Sequence, residues 1–319
     1  MLLNFYRIMF SSDLHGNTLV FRKFLGSILN YKANIGIIGG DLTGKALVPI
    51  IERRGKIYEA TFFGNKRVVK NQEELERLKN DIESSGLYFK VMSEEEYSNA
   101  VNDQRIRDEL LREAIIERLR KWLDIAEEFV KKHKIPLYIM PGNDDIYEVD
   151  KLFDEYEHVT NPNEKVIQVT EDHEMIAIGY SNITPWHCPR DLEEDRLEKL
   201  LEDLIRKVRN YSTTILVSHV PPYNTNIDLA PALTNDLRYV TKGGTIVMTH
   251  VGSTAVRKII EKYQPLVGLH GHIHESKGFD KIGRTLVFNP GSEYVEGIYH
   301  GVLVVIEKNQ VKGHVFVSG

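Results

Sequence analysis

The chain predicts an α/β protein in which two sheets pack together with helices outside. Three observations carry that prediction. Strand, helix and strand follow one another at the start; short apolar runs and helical stripes keep alternating through the second half; and the stretch from Thr285 to Val317 reads as consecutive strands, with Asn309 near one turn. Alternation of this kind is the βαβ signature of a sheet covered by helices.

The elements follow in order. Tyr6–Phe10 reads as a strand. Thr18–Asn30 has helical apolar spacing at Leu19, Phe21, Phe24, Leu25 and Ile28, and Asn34–Ile38 is a second strand ending in Gly39-Gly40-Asp41. From 46 to 134 the character changes. Lys56–Phe62 and Lys66–Val69 flank Phe63-Gly64-Asn65 as a hairpin, Asn71 with Glu74 starts a helix that Gly86 stops, and Ser93 with Glu96 forms a second capping box. A long helical stripe then runs through Ile106, Leu110, Ile115, Leu119, Trp122, Ile125, Ala126 and Phe129. This stretch is rich in Glu, Lys and Arg, so 46–134 is read as an inserted cap subdomain of hairpin plus helices. Residues 1–45 and 135–319 form the catalytic domain. There, Pro136–Met140, Met175–Gly179, Thr213–Val217, Gly244–Thr249 and Leu266–Leu269 read as strands. Leu192–Arg209 and Thr254–Tyr263 read as helices.

Composition bounds the partners. A chain of 319 residues can bury a large core, and 42% hydrophobic with 27% charged residues is ordinary for a soluble globular protein. The net charge of −5 argues against a general affinity for nucleic acid or anionic membrane. Cys188 is the single cysteine, so no internal disulfide forms and a reducing compartment fits. The chain opens directly into a strand, without a secretory n-region and h-region, and no apolar run approaches a bilayer span. A cytoplasmic protein is expected; a homo-oligomer is compatible with the sequence.

Five clusters carry the chemistry: Asp13-Leu14-His15, Gly40-Asp41, Gly142-Asn143-Asp144-Asp145, Ser218-His219 and Gly271-His272-Ile273-His274. Each follows a short apolar run. Asp13 and His15, two apart beyond a strand, can chelate one ion, and His272 and His274 have the same spacing. Asp41 has two oxygens with which to bridge two cations, Asn143 offers a carbonyl oxygen and His219 an imidazole. Such mixed ligands without thiolate suit Mn, Fe, Co, Ni or Zn, with Mn preferred here. Two cations about 3.5–4 Å apart would acidify a bridging water and assist its attack on phosphorus.

Five motifs in this order resemble the calcineurin-like metallophosphoesterase superfamily over about residues 6–45 and 136–300. The resemblance implies a four-layer α/β/β/α sandwich of two mixed sheets. It implies one metal held by Asp13, His15, Asp41 and His274, and a second held by Asp41, Asn143, His219 and His272. Gly40–Lys45, Thr249-His-Val-Gly-Ser253 and Asn289-Pro-Gly-Ser292 resemble a smaller branch, the predicted phosphoesterases related to cyclic-nucleotide phosphodiesterases. Many superfamily members carry His directly after the motif Asn; here Asp144 stands there. An Asp would serve as general acid only with a raised pKa, which nearby dications oppose. His250 and His187 are the alternatives for that role.

Other candidates are weighed against bland readings. Gly39–Ala46 nearly fits the P-loop but lacks its hydroxyl at Ala46, and Pro49 interrupts the helix it needs. Lys45 is read as a phosphate contact or a solvated lysine. Trp186 could stack on a base or close the core, and Arg190 could contact phosphate or lie in solvent. Ser253 caps a helix whose free N–H groups could take an anion. His158, His173, His300 and His314 are expected at the surface. The expected function is a dinuclear metal-dependent phosphoesterase that hydrolyses a small-molecule phosphodiester, cyclic nucleotides among the candidates. Asn143 and Asp144 would orient substrate, with His250 assisting. A phosphomonoesterase on a small metabolite is the alternative. A non-catalytic metal-binding interaction protein of the same fold is the alternative of another class.

Overall fold

The computed structural model describes residues 5–319, so the lead-in read for Met1–Asn4 lies outside the described residues. Along the chain come β1 (Phe5–Ser11), α1 (Thr18–Asn30), β2 (Ile35–Gly39), β3 (Leu47–Arg53), β4 (Ile57–Phe62), β5 (Asn65–Val69), α2 (Gln72–Glu83), β6 (Tyr88–Ser93), α3 (Glu94–Asn102), α4 (Gln104–His133) and β7 (Leu137–Met140). Then follow β8 (Val159–Thr160), β9 (Val166–Gln168), β10 (Glu174–Ile178), β11 (Ser181–Asn182), β12 (Asp191–Leu192), α5 (Glu194–Ile205), β13 (Thr214–Ser218) and β14 (Leu229–Pro231). The rest is β15 (Thr241–Lys242), β16 (Thr245–Ile246), β17 (Met248–His250), α6 (Thr254–Tyr263), β18 (Val267–Leu269), β19 (Gly278–Ile282), β20 (Thr285–Asn289), β21 (His300–Glu307) and β22 (Gln310–Ser318).

Two six-stranded mixed sheets form the frame, in the orders β22-β21-β1-β2-β7-β8 and β19-β20-β18-β13-β10-β9. Their strands alternate sides with the two-residue period of extended chain. Ile8 and Phe10 of β1 and Ile35 and Ile37 of β2 share one apolar cluster with Met175, Ala177, Ile215, Val217, Val267 and Phe288 of the other sheet. Met9 and Ile38 turn the other way, toward Phe21, Phe24 and Ile28 of α1 and Leu119, Trp122 and Ala126 of α4. On the far side Ile176, Ile178 and Leu216 meet Leu197 and Leu201 of α5 and Val256, Ile259 and Ile260 of α6. Because strands such as β2 and β13 are covered on both faces, they read as continuous apolar runs rather than alternating ones.

The helix ends were legible. The Asn17 side chain accepts from Val20 N at the start of α1, and Ser93 and Glu96 make both bonds of their capping box. Trp122 stacks on Phe21 at 4.6 Å and donates Nε1 to Thr18 Oγ1. Two expectations fail. Gly244–Thr249 is not one core strand: it holds β16, which turns back at Gly243 and Gly244 to pair with the exposed β15, and the start of β17, which pairs with β14. Its Ile246 and Met248 are exposed, so the apolar run is not core. The helix read over Leu192–Arg209 is shorter, because Leu192 pairs in the β11–β12 ladder and α5 ends at Ile205.

Within 46–134 the hairpin β4–β5 belongs to a four-stranded sheet, β5-β4-β3-β6, in which β3 and β6 run parallel. Val48, Ile50, Tyr58, Leu75, Leu78 and Ile82 form its own core. Lys45 leads into β3 rather than a helix, so the P-loop geometry is absent. No helix of the described residues is long and apolar enough to cross a membrane.

Candidate metal centre

Each of the five clusters sits just beyond the C-terminal end of a parallel strand: β1, β2, β7, β13 or β18. That edge is where open α/β sheets place their sites. The loops are zipped together by backbone bonds. Asp13 N donates to Gly40 O, His15 N to Asp41 O, His219 N to Ile178 O and Gly271 N to His219 O, all at 2.9–3.0 Å. Asp13, His15, Asp41 and His272 all adopt positive φ, between 43° and 68°. Non-glycine residues held there cost roughly 1–3 kcal/mol each, strain that clusters at functional sites. The motif glycines answer to close approach: a Cβ on Gly142 would fall 2.1 Å from Asp41 Oδ1, and one on Gly271 would fall 2.4 Å from Asp13 Oδ2.

Six of the seven predicted ligands come together in two groups. Asp13, His15 and His274 offer ligand atoms within 4.8 Å of one another, as do Asp41, His219 and His272. His15, Asp41 and Asp144 form a third such group. Asp41 faces both halves, with Oδ2 3.6 Å from His15 Nε2 and Oδ1 3.2 Å from His219 Nε2. His274 Nε2 lies 3.5 Å from Asp13 Oδ1 and 3.1 Å from His15 Nε2. His219 Nε2 and Asn143 Oδ1 are buried without a hydrogen-bond partner among the described residues, although the His219 Nδ1 is held by Gly39 O. Buried polar atoms are rarely left so, and a divalent cation is a partner their chemistry fits.

Electrostatics agree with that fit. Burial pushes the His15 and His272 imidazoles down to about 3, so both are neutral with a lone pair to offer. Burial opposes charge on His219 as well, yet Asp41 and Asp13 hold it up at about 10. Burial raises Asp41 to about 7 against the pull of that same imidazole. Asp13 is held below the usual carboxylate range, since His274 and its neighbours overcome burial. Metal binding among these groups would be coupled to the loss of protons.

Around this cluster the other candidates separate. Asp144 is ion-paired with Lys45 and accepts from Cys188 Sγ at 2.7 Å. Burial works against its charge, but Cys188, His15 and Lys45 keep it below its ordinary value, so it stands ionised rather than poised as an acid. Lys45 is about half exposed beside it. Trp186 and His187 are exposed in the loop after β11, so Trp186 does not close the core. Arg190 corrects the sequence reading: it is fully buried, donates to Asp145 O and Ile146 O, pairs with Asp150 and covers the Tyr147 ring. With its guanidinium so engaged, it is not free for phosphate. His250 Nδ1 is bound to the buried Asp228 at 2.7 Å, and His250 stands outside the three metal-capable groups. The α6 N-terminus already holds an anion, the Glu194 carboxylate, on Ser253 Oγ and the N–H groups of Thr254 and Ala255. His173 and His300, expected at the surface, are buried.

Sequence reasoning missed several supporting residues. Asp145, inside a quoted motif, is fully buried and accepts from Leu42 N, Thr43 N, Thr43 Oγ1 and Gly142 N, tying two ligand loops together. Tyr294 packs its ring 4.5 Å from that of His15. Arg118 of α4 donates to Gly16 O and Leu87 O. Asn289 and Ser292 order the backbone as read, bonding Ile273 O and Asp13 O.

Five motif loops thus converge at one edge of two packed sheets. No protein-family model matches the chain. It is 35% identical over 178 residues to the uncharacterized protein MJ1162 of Methanocaldococcus jannaschii, covering 55% of this chain and 69% of that protein. The chain belongs to the family of that protein. Among solved structures, TT1561 of Thermus thermophilus aligns at a TM-score of 0.53 with 15% identity, over 96% of this chain and all of that one. Another crystal structure aligns at 0.59 with 16% identity over 99% of both chains. These two likenesses are to the fold.

Proposed function

We propose that the protein is a dinuclear metal-dependent phosphoesterase, a metal-dependent phosphoric ester hydrolase whose preferred substrate is a small phosphodiester. The observation that carries this reading is Asp41, which offers one oxygen to the side of His15 and the other to the side of His219, whose Nε2 is buried without a hydrogen-bond partner among the described residues. In it, Asp13, His15, Asp41 and His274 hold one ion, and Asp41, Asn143, His219 and His272 hold the other. Two divalent cations supply, when bound, a water nucleophile at neutral pH and neutralisation of phosphoryl charge. The chain's own residues do the rest. Asn143 and Asp144 flank the point where a phosphoryl group would lie, and Lys45, steadied by Asp144, offers an ammonium at its edge. We read the frame as the four-layer sandwich and 46–134 as a cap over the catalytic domain.

The Asp144 carboxylate favours a diester over a monoester, because it sets a fixed negative charge beside the substrate's own. Purified protein loaded with Mn²⁺ is expected to hydrolyse bis-p-nitrophenyl phosphate faster than p-nitrophenyl phosphate, with His219→Ala inactive on both. Inactivity on both esters with Mn, Fe, Co, Ni and Zn, together with no bound metal by elemental analysis, rejects the reading.

A further inference from the structure

Asn143 has a neighbour that no motif announced. Its side-chain Nδ2 donates to Asp191 Oδ1 at 2.9 Å. The other oxygen of that carboxylate, Oδ2, accepts from Thr184 N at 2.9 Å, Thr184 Oγ1 at 2.6 Å and Cys188 N at 3.0 Å. An ionised carboxylate only accepts, so the amide group of Asn143 must turn its NH₂ to Asp191 and its oxygen away. That oxygen, Oδ1, is the buried acceptor left without a partner. The main chain is held as well, since Arg190 N donates to Asn143 O at 3.1 Å.

Asp191 stands directly across the two-rung parallel ladder β11–β12 from Ser181. Ser181 Oγ lies 3.2 Å from His272 Nε2 and itself donates to Asn182 Oδ1 at 3.3 Å. With its proton so used, the hydroxyl accepts from His272 Nε2–H, which leaves the Nδ1 lone pair of that ring free. The two residues of one rung therefore hold two different motif residues, each by the atom that a cation would not use. We propose that Asp191, seconded by Ser181, is a positioning residue that sets which atoms Asn143 and His272 present to a metal ion. The proposal rests on the reading of Asn143 and His272 as ligands of one ion. It deepens that reading by assigning how their donor atoms are chosen.

The test reads metal binding, with ester hydrolysis kept separate. In Asp191→Asn the new amide keeps its oxygen on the three donors of Thr184 and Cys188 and turns its NH₂ to that of Asn143. Asn143 must then flip or withdraw its oxygen. Calorimetric titration of the full, metal-stripped chain with Mn²⁺ is expected to show one of two ions bound about 10–100-fold more weakly, the loss typical of an outer partner of a metal ligand. The double variant Asn143→Asp with Asp191→Asn restores a donor facing an acceptor and is expected to recover most of that affinity. A merely structural role would not predict this recovery. Ser181→Ala, which leaves the frame of Asp191 intact, is expected to weaken the same ion severalfold. Circular dichroism of each metal-free variant reports folding. Wild-type Mn²⁺ affinities in Asp191→Asn, or a double variant no better than the single one, overturn the proposal. A wild-type chain that binds two ions yet cleaves no ester removes the phosphoesterase reading and leaves this one standing.

Discussion

The two oxygens of Asp41 are divided between two imidazoles, Oδ2 at 3.6 Å from His15 and Oδ1 at 3.2 Å from His219. No other carboxylate among the described residues reaches both halves of the cluster at these distances with separate oxygens. Asp41→Asn keeps the shape and removes the charge. It should therefore weaken both ions, where loss of His274 or His219 weakens chiefly one. We expect a fall in affinity of roughly a hundredfold or more for each ion, above the 10–100-fold of an outer-shell change. Elemental analysis after dialysis at fixed Mn²⁺ checks it. An Asp41→Asn chain that keeps one ion at full occupancy contradicts the bridging role.

Much of this site is legible in the order of the amino acids, and the reason is local. Asp13, His15, Asp41, Asn143, His219, His272 and His274 follow apolar strands at fixed short offsets, so sequence spacing alone encodes their convergence. The α1 boundaries were equally local, because Asn17 is its cap and Phe21, Phe24 and Ile28 its buried stripe. Asp191 had no such signal. It reaches Asn143, 48 residues earlier, only because a two-rung ladder brings it there. Arg190 misled for a related reason. An arginine among Pro, Cys and His looks solvated, and nothing in the neighbouring residues tells that Asp145 O, Ile146 O and Asp150 will enclose it. The run Gly244–Thr249 has a core strand's composition, but composition does not say which sheet, if any, will cover it.

The enclosure of Arg190 makes its loss a matter of stability first. Arg190→Ala leaves the carbonyls of Asp145 and Ile146 without their donors beneath the Asn143 loop. Two lost charge-assisted bonds and the vacated volume cost on the order of 3 kcal/mol. Arg190→Lys should recover little of it, since an ammonium cannot reproduce the planar fork. Denaturant unfolding of the metal-free chains measures this. A wild-type midpoint in Arg190→Ala, with only KM for a phosphoester raised, would return the residue to a substrate role.

On the opposite face, Glu202 joins α5 to α6 by accepting from Lys262 and from Tyr263 Oη, the latter at 2.9 Å. Those two hydrogen bonds hold its carboxyl down at about 2, below an ordinary 4.5. The folded value is the lower one, so the contribution is complete above the unfolded pKa and is lost as pH falls through the folded one. The difference in thermal midpoint between wild type and Glu202→Gln is expected to be constant above about pH 5 and to shrink between about pH 4.5 and 2. It should also narrow in about 1 M salt, because the pair faces solvent. A difference that is unchanged down to about pH 2 refutes the assignment.

Asp144 occupies the position at which a histidine would ordinarily follow the motif asparagine, and its partners define what that exchange does. Its Oδ1 takes the Cys188 thiol, its Oδ2 takes Lys45, and Oδ2 lies 4.0 Å from His15 Nδ1. The ion pair offsets part of the Lys45 charge that would otherwise meet an extra phosphoryl oxygen at this edge. A phosphodiester brings one negative charge, whereas a monoester near neutral pH brings up to two, and the second would face a fixed carboxylate. Asp144→Asn removes that repulsion and releases Lys45 to face substrate. At a few ångströms and an effective dielectric of about 20, one charge is worth enough to shift a rate ratio roughly tenfold after screening. The ratio of p-nitrophenyl phosphate to bis-p-nitrophenyl phosphate hydrolysis, each as kcat/KM with Mn²⁺ at saturation, should therefore rise by about that factor in Asp144→Asn. Lys45→Ala should lower both esters without raising the ratio, since the carboxylate then stands unpaired. If Asp144→Asn leaves the ratio where it was, the carboxylate does not select the ester, and the preference for a diester must be sought in the cap or in the exposed loop that carries Trp186.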